Sequence, residues 1–199
     1  MIIGITGGTG TGKTTALAAL AVLGAYVIDC DKLYHELLEN CTGLKTDIEE
    51  RFPGVVSAGK LDRKKLGSIV FADKTALSEL NAITHRYITE EIGKQITREK
   101  TAGCRLFAID AIALYESGLA GMCDITVAVT APREVRARRI MAREGIDLGY
   151  AMLRIDAQQP DEFYIRNCGH ILVNDSESAD EFSRKAAAFF ENILGGNKV

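Results

Sequence analysis

The segment GITGGTGTGKTT, Gly4 to Thr15, gathers five glycines, five threonines and one lysine near the start of the chain. Gly7 to Thr14 reads G-x-x-x-x-G-K-T, a spacing with a definite chemistry. Glycine lets successive backbone N–H groups curl around an anion, because no β-carbon restricts φ or blocks a close approach. A helix starting behind such a loop adds unpaired N–H groups and a positive dipole end. Gly8, Thr9, Gly10, Thr11, Gly12, Lys13, Thr14 and Thr15 are therefore the candidate phosphate site of a nucleotide. Lys13 would reach the β- and γ-phosphates as a point charge, and the Thr14 hydroxyl would ligate Mg²⁺. The flanks have the right character: MIIGI before the loop reads as a buried strand, and TTALAALAVL behind it as a helix without internal Gly or Pro.

Further residues could complete a phosphoryl-transfer site. VIDCD places Asp29 and Asp31 two residues apart, on one face if the strand runs that far. A carboxylate near a γ-phosphate can orient a hydroxyl and accept its proton, or hold Mg²⁺ through water. Asp31 could equally cap the helix that follows. Asp31 is the candidate base, with Asp29 beside it in substrate binding, although the spacing leaves open which of the two takes the proton. LFAID ends in Asp110 after four apolar residues, the pattern of a second carboxylate that supports Mg²⁺ indirectly. PREVRARRIMAR carries five arginines between Arg133 and Arg143, with Arg136, Arg139 and Arg143 on one helical face. Arginines on a mobile lid can bind phosphate oxygens and exclude water, against the plainer alternative of a solvated charged helix. His35, His85 and His170 show no ligand spacing.

Composition narrows the class. With 199 residues, 47% hydrophobic and 26% charged, the chain reads as one ordinary globular domain. A net charge of −3 offers no overall basic surface for nucleic acid. Cys30, Cys41, Cys104, Cys123 and Cys168 are odd in number and contain no C-x-x-C, which suits reduced thiols rather than a disulfide framework or a zinc site. No basic N-terminal region precedes a long apolar stretch, and no run approaches the ~20 apolar residues of a membrane helix. A cytoplasmic enzyme, with no membrane partner, is the expectation.

The elements that must position these residues follow from periodicity. MIIGI, AYVID, RLFAID, DITVAVT and HILVND read as five strands, most of them apolar on consecutive positions, as in strands covered on both faces. Helical patterns span Thr14 to Leu23, Asp31 to Asn40, Asp62 to about Lys100, Arg133 to Arg143, Asp147 to Gln158, and about Ser178 to Leu194. Alternation of this kind predicts an α/β three-layer sandwich on a five-stranded parallel sheet. Residues 32–103 hold far more helix than one crossover needs, which predicts a helical substrate-binding insertion. The core is expected over 1–31, 104–130 and 168–199, with an arginine-bearing lid over 131–167.

With these residues in view, the chain resembles the dephospho-CoA kinase family essentially from end to end. The resemblance runs through GITGGTGTGKTT, LGAYVIDCD, GKLDRKKLGSIVF, LNAITHRYI, DAIALYESGL, RRIMAREGI, RIDAQQ and ILVND. It implies a P-loop kinase that transfers the γ-phosphoryl group of ATP, with Mg²⁺, to the ribose 3′-hydroxyl of dephospho-CoA, the last step of coenzyme A biosynthesis. It implies Lys13, Asp31, Arg139 and Arg143 as catalytic residues. Asn174 would join the ATP site, and Asp29, Asp31, His85 and Asp110 the acceptor site. Thr14 and Asp110 would serve the metal, and the enzyme would act as a monomer on small molecules. The sequence departs from the family pattern at Arg86, where a proline is usual, at Ile112 in IALYE, and at Arg136, where a glutamine is common. Two alternatives share the loop: a shikimate- or nucleotide-kinase-like enzyme, and a GTPase switch. The guanine-reading N-K-x-D tetrapeptide is missing, the one NK dipeptide being Asn197–Lys198.

Overall fold

The structure, a computed structural model, describes residues 1–195. The Asn197–Lys198 dipeptide and the last four positions assigned to the core lie outside the described residues. The chain opens with β1 (Ile2–Thr6), α1 (Lys13–Val22) and β2 (Ala25–Asp29). It continues through α2 (Cys30–Asn40), α3 (Thr42–Arg51), the short strands β3 (Val56–Ser57) and β4 (Lys60–Leu61), α4 (Arg63–Val70) and α5 (Lys74–Thr101). Then come β5 (Leu106–Asp110), β6 (Ile125–Thr130), α6 (Arg133–Glu144), α7 (Leu148–Asp156), α8 (Asp161–Asn167), β7 (His170–Val173) and α9 (Ala179–Gly195). Two compact units result: Met1–Ile28 with the chain from Gly103 on, and Asp29–Ala102.

The first unit is built on the expected five-stranded sheet, in the order β2-β5-β1-β6-β7. The β1–β5, β1–β6 and β6–β7 pairs are parallel. β1 is central, so its alternating Ile3 and Ile5 are fully buried, with Val127 and Val129 of β6 and Leu172 of β7 in the same cluster. α1 and α9 pack on each other and contribute Leu17, Leu20, Phe182 and Phe190 to that core. Burying one such side chain is worth about 1.5–3 kcal/mol. This rigid centre fixes the point where β1 gives way to the glycine loop. The stretch 131–167 lies within this unit, and holds one helix more than its periodicity indicated, α8.

The second unit has its own core, including Leu44, Ile48, Phe52, Val55, Leu66, Val70 and Leu80. The helical stretch expected from Asp62 to about Lys100 is two helices, each started by an aspartate: Asp62 accepts from the Lys65 N–H (2.9 Å) and Asp73 from the Thr75 N–H (2.7 Å). α5 runs 28 residues, about 42 Å, with Leu80, Thr84, Ile88, Ile92 and Ile96 along its buried stripe. The β3–β4 hairpin was not anticipated. It turns through Ala58 (φ 49°) and Gly59 (φ 73°), the pair of positive φ values that a two-residue hairpin loop requires. Arg86, where the family pattern has proline, pairs with Asp47 of α3 and stacks on Tyr87, whose hydroxyl also donates to Asp47. Its role is to join α3 to α5.

Candidate active site

The loop after β1 takes its shape from its neighbours. Gly7 has φ 136°, and a β-carbon there would fall on the Val129 carbonyl of β6. Gly12 has φ 104° at the N-cap of α1, where a β-carbon would collide with the Asn174 amide. No side chain caps α1, so its first turn is an end suited to an anion. Thr11, 1% exposed, donates from Oγ1 to the Gly8 carbonyl (2.9 Å). Lys13 Nζ donates back across the loop to the Gly7 carbonyl (2.9 Å), which places the ammonium over the glycine turn. Thr14 is exposed and Thr15 half-buried in the first turn of α1.

The carboxyl edge of the sheet adds further groups. Asp110 closes β5 in register with Ile5 of β1. Thr6, next along β1, donates from Oγ1 to the carbonyl of Ile112, one of the departures (3.0 Å). Asn174, 2% exposed just beyond β7, donates from Nδ2 to the Thr11 carbonyl (2.8 Å) and accepts at Oδ1 from Arg139 Nη2 (3.0 Å). Its side chain thus supports the loop from behind.

The arginine face of α6 is turned onto the loop. Arg139 Nη1 lies 3.3 Å from the Gly10 carbonyl. Burial first, and then the neighbouring Arg138 charge, hold its pKa below the ordinary arginine value. Arg143 is exposed, pairs with Glu144 (2.7 Å) and lies 3.4 Å from Thr9 Oγ1. Arg136 is 4% exposed; its Nε donates to the Thr9 carbonyl (3.0 Å) and its Nη1 to Asp161 Oδ1 (2.9 Å). Gln158 Oε1 accepts from the Thr9 N–H (2.7 Å). A plain solvated helix would leave these guanidinium groups in water, whereas three of the five arginines meet the loop. Sequence reasoning assigned no role to Gln158 or Asp161, and saw Arg136 only as one arginine of the face and a departure from the family pattern. Nothing in local spacing links Thr9 to a residue 149 positions away.

Asp29, Asp31 and His85 belong to the second unit. Here one expectation is corrected: the strand stops at Asp29, and Asp31 falls in the first turn of α2, so the two carboxylates do not share a strand face. The cap is Asp29, whose Oδ1 accepts from the Lys32 N–H (2.9 Å), and not Asp31, which is exposed. Helix geometry decides this, since an N-cap must keep extended backbone while its successors turn. His85 is half-buried on α5. The five cysteines are free thiols.

Among the described residues no three His, Cys, Asp or Glu side chains stand close enough to cage a metal. The oxygen donors present, the exposed Thr14 hydroxyl and the Asp110 carboxylate, instead fit an ion carried in by phosphate groups, the usual manner of Mg²⁺. Strand, glycine loop and helix, with a lysine over the loop and an arginine helix against it, define the class of P-loop phosphotransferases. The comparisons sharpen the class to a family. The family model for dephospho-CoA kinase matches residues 1–180. A dephospho-CoA kinase of Anaeromyxobacter dehalogenans is 36% identical over 198 residues, covering 98% of this chain and 93% of that protein. Among solved structures, TT1252 from Thermus thermophilus superposes with a TM-score of 0.80 at 31% identity, over 100% of this chain and 98% of its own. The dephospho-CoA kinase from Campylobacter jejuni gives 0.68 at 27% identity, over 98% of both chains. The chain belongs to the dephospho-CoA kinase family, which sets aside the shikimate-kinase-like and GTPase alternatives.

Proposed function

We propose that this kinase transfers the γ-phosphoryl group of ATP to the ribose 3′-hydroxyl of dephospho-CoA, giving CoA and ADP. The observation that carries this reading is the glycine loop with Lys13 drawn across it to the Gly7 carbonyl, in a chain of the dephospho-CoA kinase family. The loop and the first turn of α1, Gly8 to Thr15, bind the triphosphate, with Asn174 supporting them through Thr11. Lys13 neutralises charge on the β- and γ-phosphates, and Arg139 and Arg143 do so on the lid side as the phosphoryl group moves. Thr14, and indirectly Asp110, would hold Mg²⁺, which would supply charge neutralisation on the triphosphate.

Asp31 accepts the proton of the 3′-hydroxyl. Its carboxylate is exposed, whereas that of Asp29 is committed to the α2 cap. Asp29, His85 and Asp110 complete the acceptor site. On the same footing the enzyme works as a monomer in the cytoplasm. No described helix is long and apolar enough to cross a membrane.

Two measurements check these assignments. ADP release with dephospho-CoA, adenosine and shikimate in parallel is expected to show kcat/KM far higher for dephospho-CoA, because adenosine lacks the diphosphate and pantetheine arm that contribute remote binding energy. The new phosphate should map to the ribose 3′ position. Preference for shikimate or a nucleoside monophosphate would move the chain to another acceptor class. Asp31→Asn keeps shape but removes basicity, and should lower kcat by roughly 10²-fold or more with ATP affinity nearly unchanged. If Asp29→Asn cripples turnover while Asp31→Asn is mild, the base has been assigned to the wrong carboxylate.

A further inference from the structure

The glycine loop has a middle residue whose two backbone groups are both taken by side chains from elsewhere. Thr9 gives its N–H to Gln158 Oε1 (2.7 Å) and receives Arg136 Nε at its carbonyl (3.0 Å). Arg136 comes from the first turn of α6, and Gln158 from the turn after α7. The two are joined, since Arg136 Nη2 lies 3.5 Å from Gln158 Oε1. Arg136 Nη1 is held in turn by Asp161, at the first position of α8. α8 is itself anchored by Tyr164, which is 1% exposed. The guanidinium reaches this position only because residue 8 is glycine; a β-carbon there would collide with Arg136 Nη2.

We infer that Arg136, fixed by Asp161, is a positioning residue for phosphoryl transfer, which with Gln158 sets the orientation of both peptide planes that meet at Thr9. The inference rests on the kinase reading given above. A loop with glycine at 7, 8, 10 and 12 has wide freedom of φ and ψ, and each wrong orientation aims an N–H away from the phosphates. Holding the C=O and N–H of one central residue from outside removes most of that freedom. In a reaction whose catalysis is largely positioning and electrostatics, the effect appears in kcat. The charge matters as well as the hydrogen bond. Arg136 is almost completely buried, and Asp161 is its ion-pair partner at 2.9 Å, so removing Asp161 alone leaves a poorly solvated guanidinium. Lysine cannot replace it, because an ammonium offers no planar fork to reach Thr9, Gln158 and Asp161 together. Glutamine, common at this position in the family pattern, could donate to Thr9 but could not pair with Asp161.

The test compares Arg136→Ala, Arg136→Lys and the double variant Arg136→Gln with Asp161→Asn, alongside wild type. Steady-state kinetics with ATP and dephospho-CoA are run with thermal melts and hydrogen exchange at the Thr9 amide. The alanine and lysine variants are expected to lose roughly 10- to 100-fold in kcat, the scale of a misplaced reacting group, while KM for ATP changes far less. Thr9 exchange should accelerate in both. The double variant removes the charge pair as a unit and keeps a donor to Thr9, so it should recover most of the kcat and the slow exchange. If Arg136→Ala does not fold, the lysine and double variants carry the comparison. Folded variants with kcat near wild type, or with KM and kcat altered while Thr9 exchange stays slow, would overturn the inference. Should wild type itself fail to phosphorylate dephospho-CoA, the kinase reading falls, and Thr9 exchange in the same variants still decides whether the clamp exists.

Discussion

Lys13→Ala is expected to reduce ADP formation with dephospho-CoA by about 10³-fold or more, into the range reported for losing a transition-state cation in phosphoryl transfer. The ammonium lies over the glycine turn, 2.9 Å from the Gly7 carbonyl. Its removal takes away the point charge on the β- and γ-phosphates and leaves backbone donors alone to balance them. Lys13 is half-buried at the start of α1, and alanine is a better helix former than lysine, so the melting temperature should stay close to wild type. Lys13→Arg should not restore turnover, because a planar fork does not fit where a compact ammonium lies against one carbonyl. A coupled assay at saturating ATP, with a thermal melt of each variant, reads both quantities. Near-normal turnover in the folded alanine variant would remove the loop from the mechanism.

The arginines of α6 should separate into two kinds of effect. Arg143 is exposed, and its side-chain hydrogen bonds among the described residues go to Thr9 Oγ1 and its neighbour Glu144, so Arg143→Ala should leave stability unchanged and lower kcat by roughly 10²- to 10³-fold, approaching the scale of arginine-finger losses. Arg139 is bound to the loop itself, through Asn174 Oδ1 and the Gly10 carbonyl. Its loss strips a charged donor from the buried Asn174, at a cost of about 2 kcal/mol. Arg139→Ala should therefore lower the melting temperature by roughly 4–8 °C as well as kcat. Stopped-flow nucleotide binding distinguishes the two sources. Equal losses in ATP affinity with kcat intact, for either arginine, would make this face of α6 an ordinary binding surface.

What the sequence revealed was what is local in the chain. The glycine loop, its lysine and the helix behind it occupy sixteen consecutive residues, Gly7 to Val22, so type and spacing were enough to read them. The five strands were legible because most carry consecutive apolar residues that only a doubly covered sheet requires. The β3–β4 hairpin was not, since its strands are two residues long and its turn places Ala58 in a conformation rarely adopted by residues other than glycine. α8 did carry a signal that was passed over: Pro160 at its N-cap and Asp161 and Glu162 in its first turn. The identity of the capping aspartate depended on where β2 stops, a boundary that periodicity places only within a residue or two. The clamp on Thr9 had no local signal at all, because it joins residues that only the packing of α6, α7 and α8 brings together.

The central place of β1 in the sheet has a consequence for how the protein is made. β1 leaves the ribosome before the other strands of its sheet, and the strands it pairs with, β5 and β6, begin at Leu106 and Ile125. Synthesis at about 5–20 residues per second leaves the amino-terminal segment without a sheet to join for several seconds. The unit Asp29–Ala102 is continuous and has its own hydrophobic cluster, so it can condense while the first strand still waits. The glycine loop takes shape only when β6 supplies the Val129 carbonyl beside Gly7, and Asn174 and Gln158 have emerged. The glycine loop, encoded within the first fifteen residues, is thus among the last parts of the molecule to become native. Nascent chains halted before residue 125 would carry the complete motif and no working site.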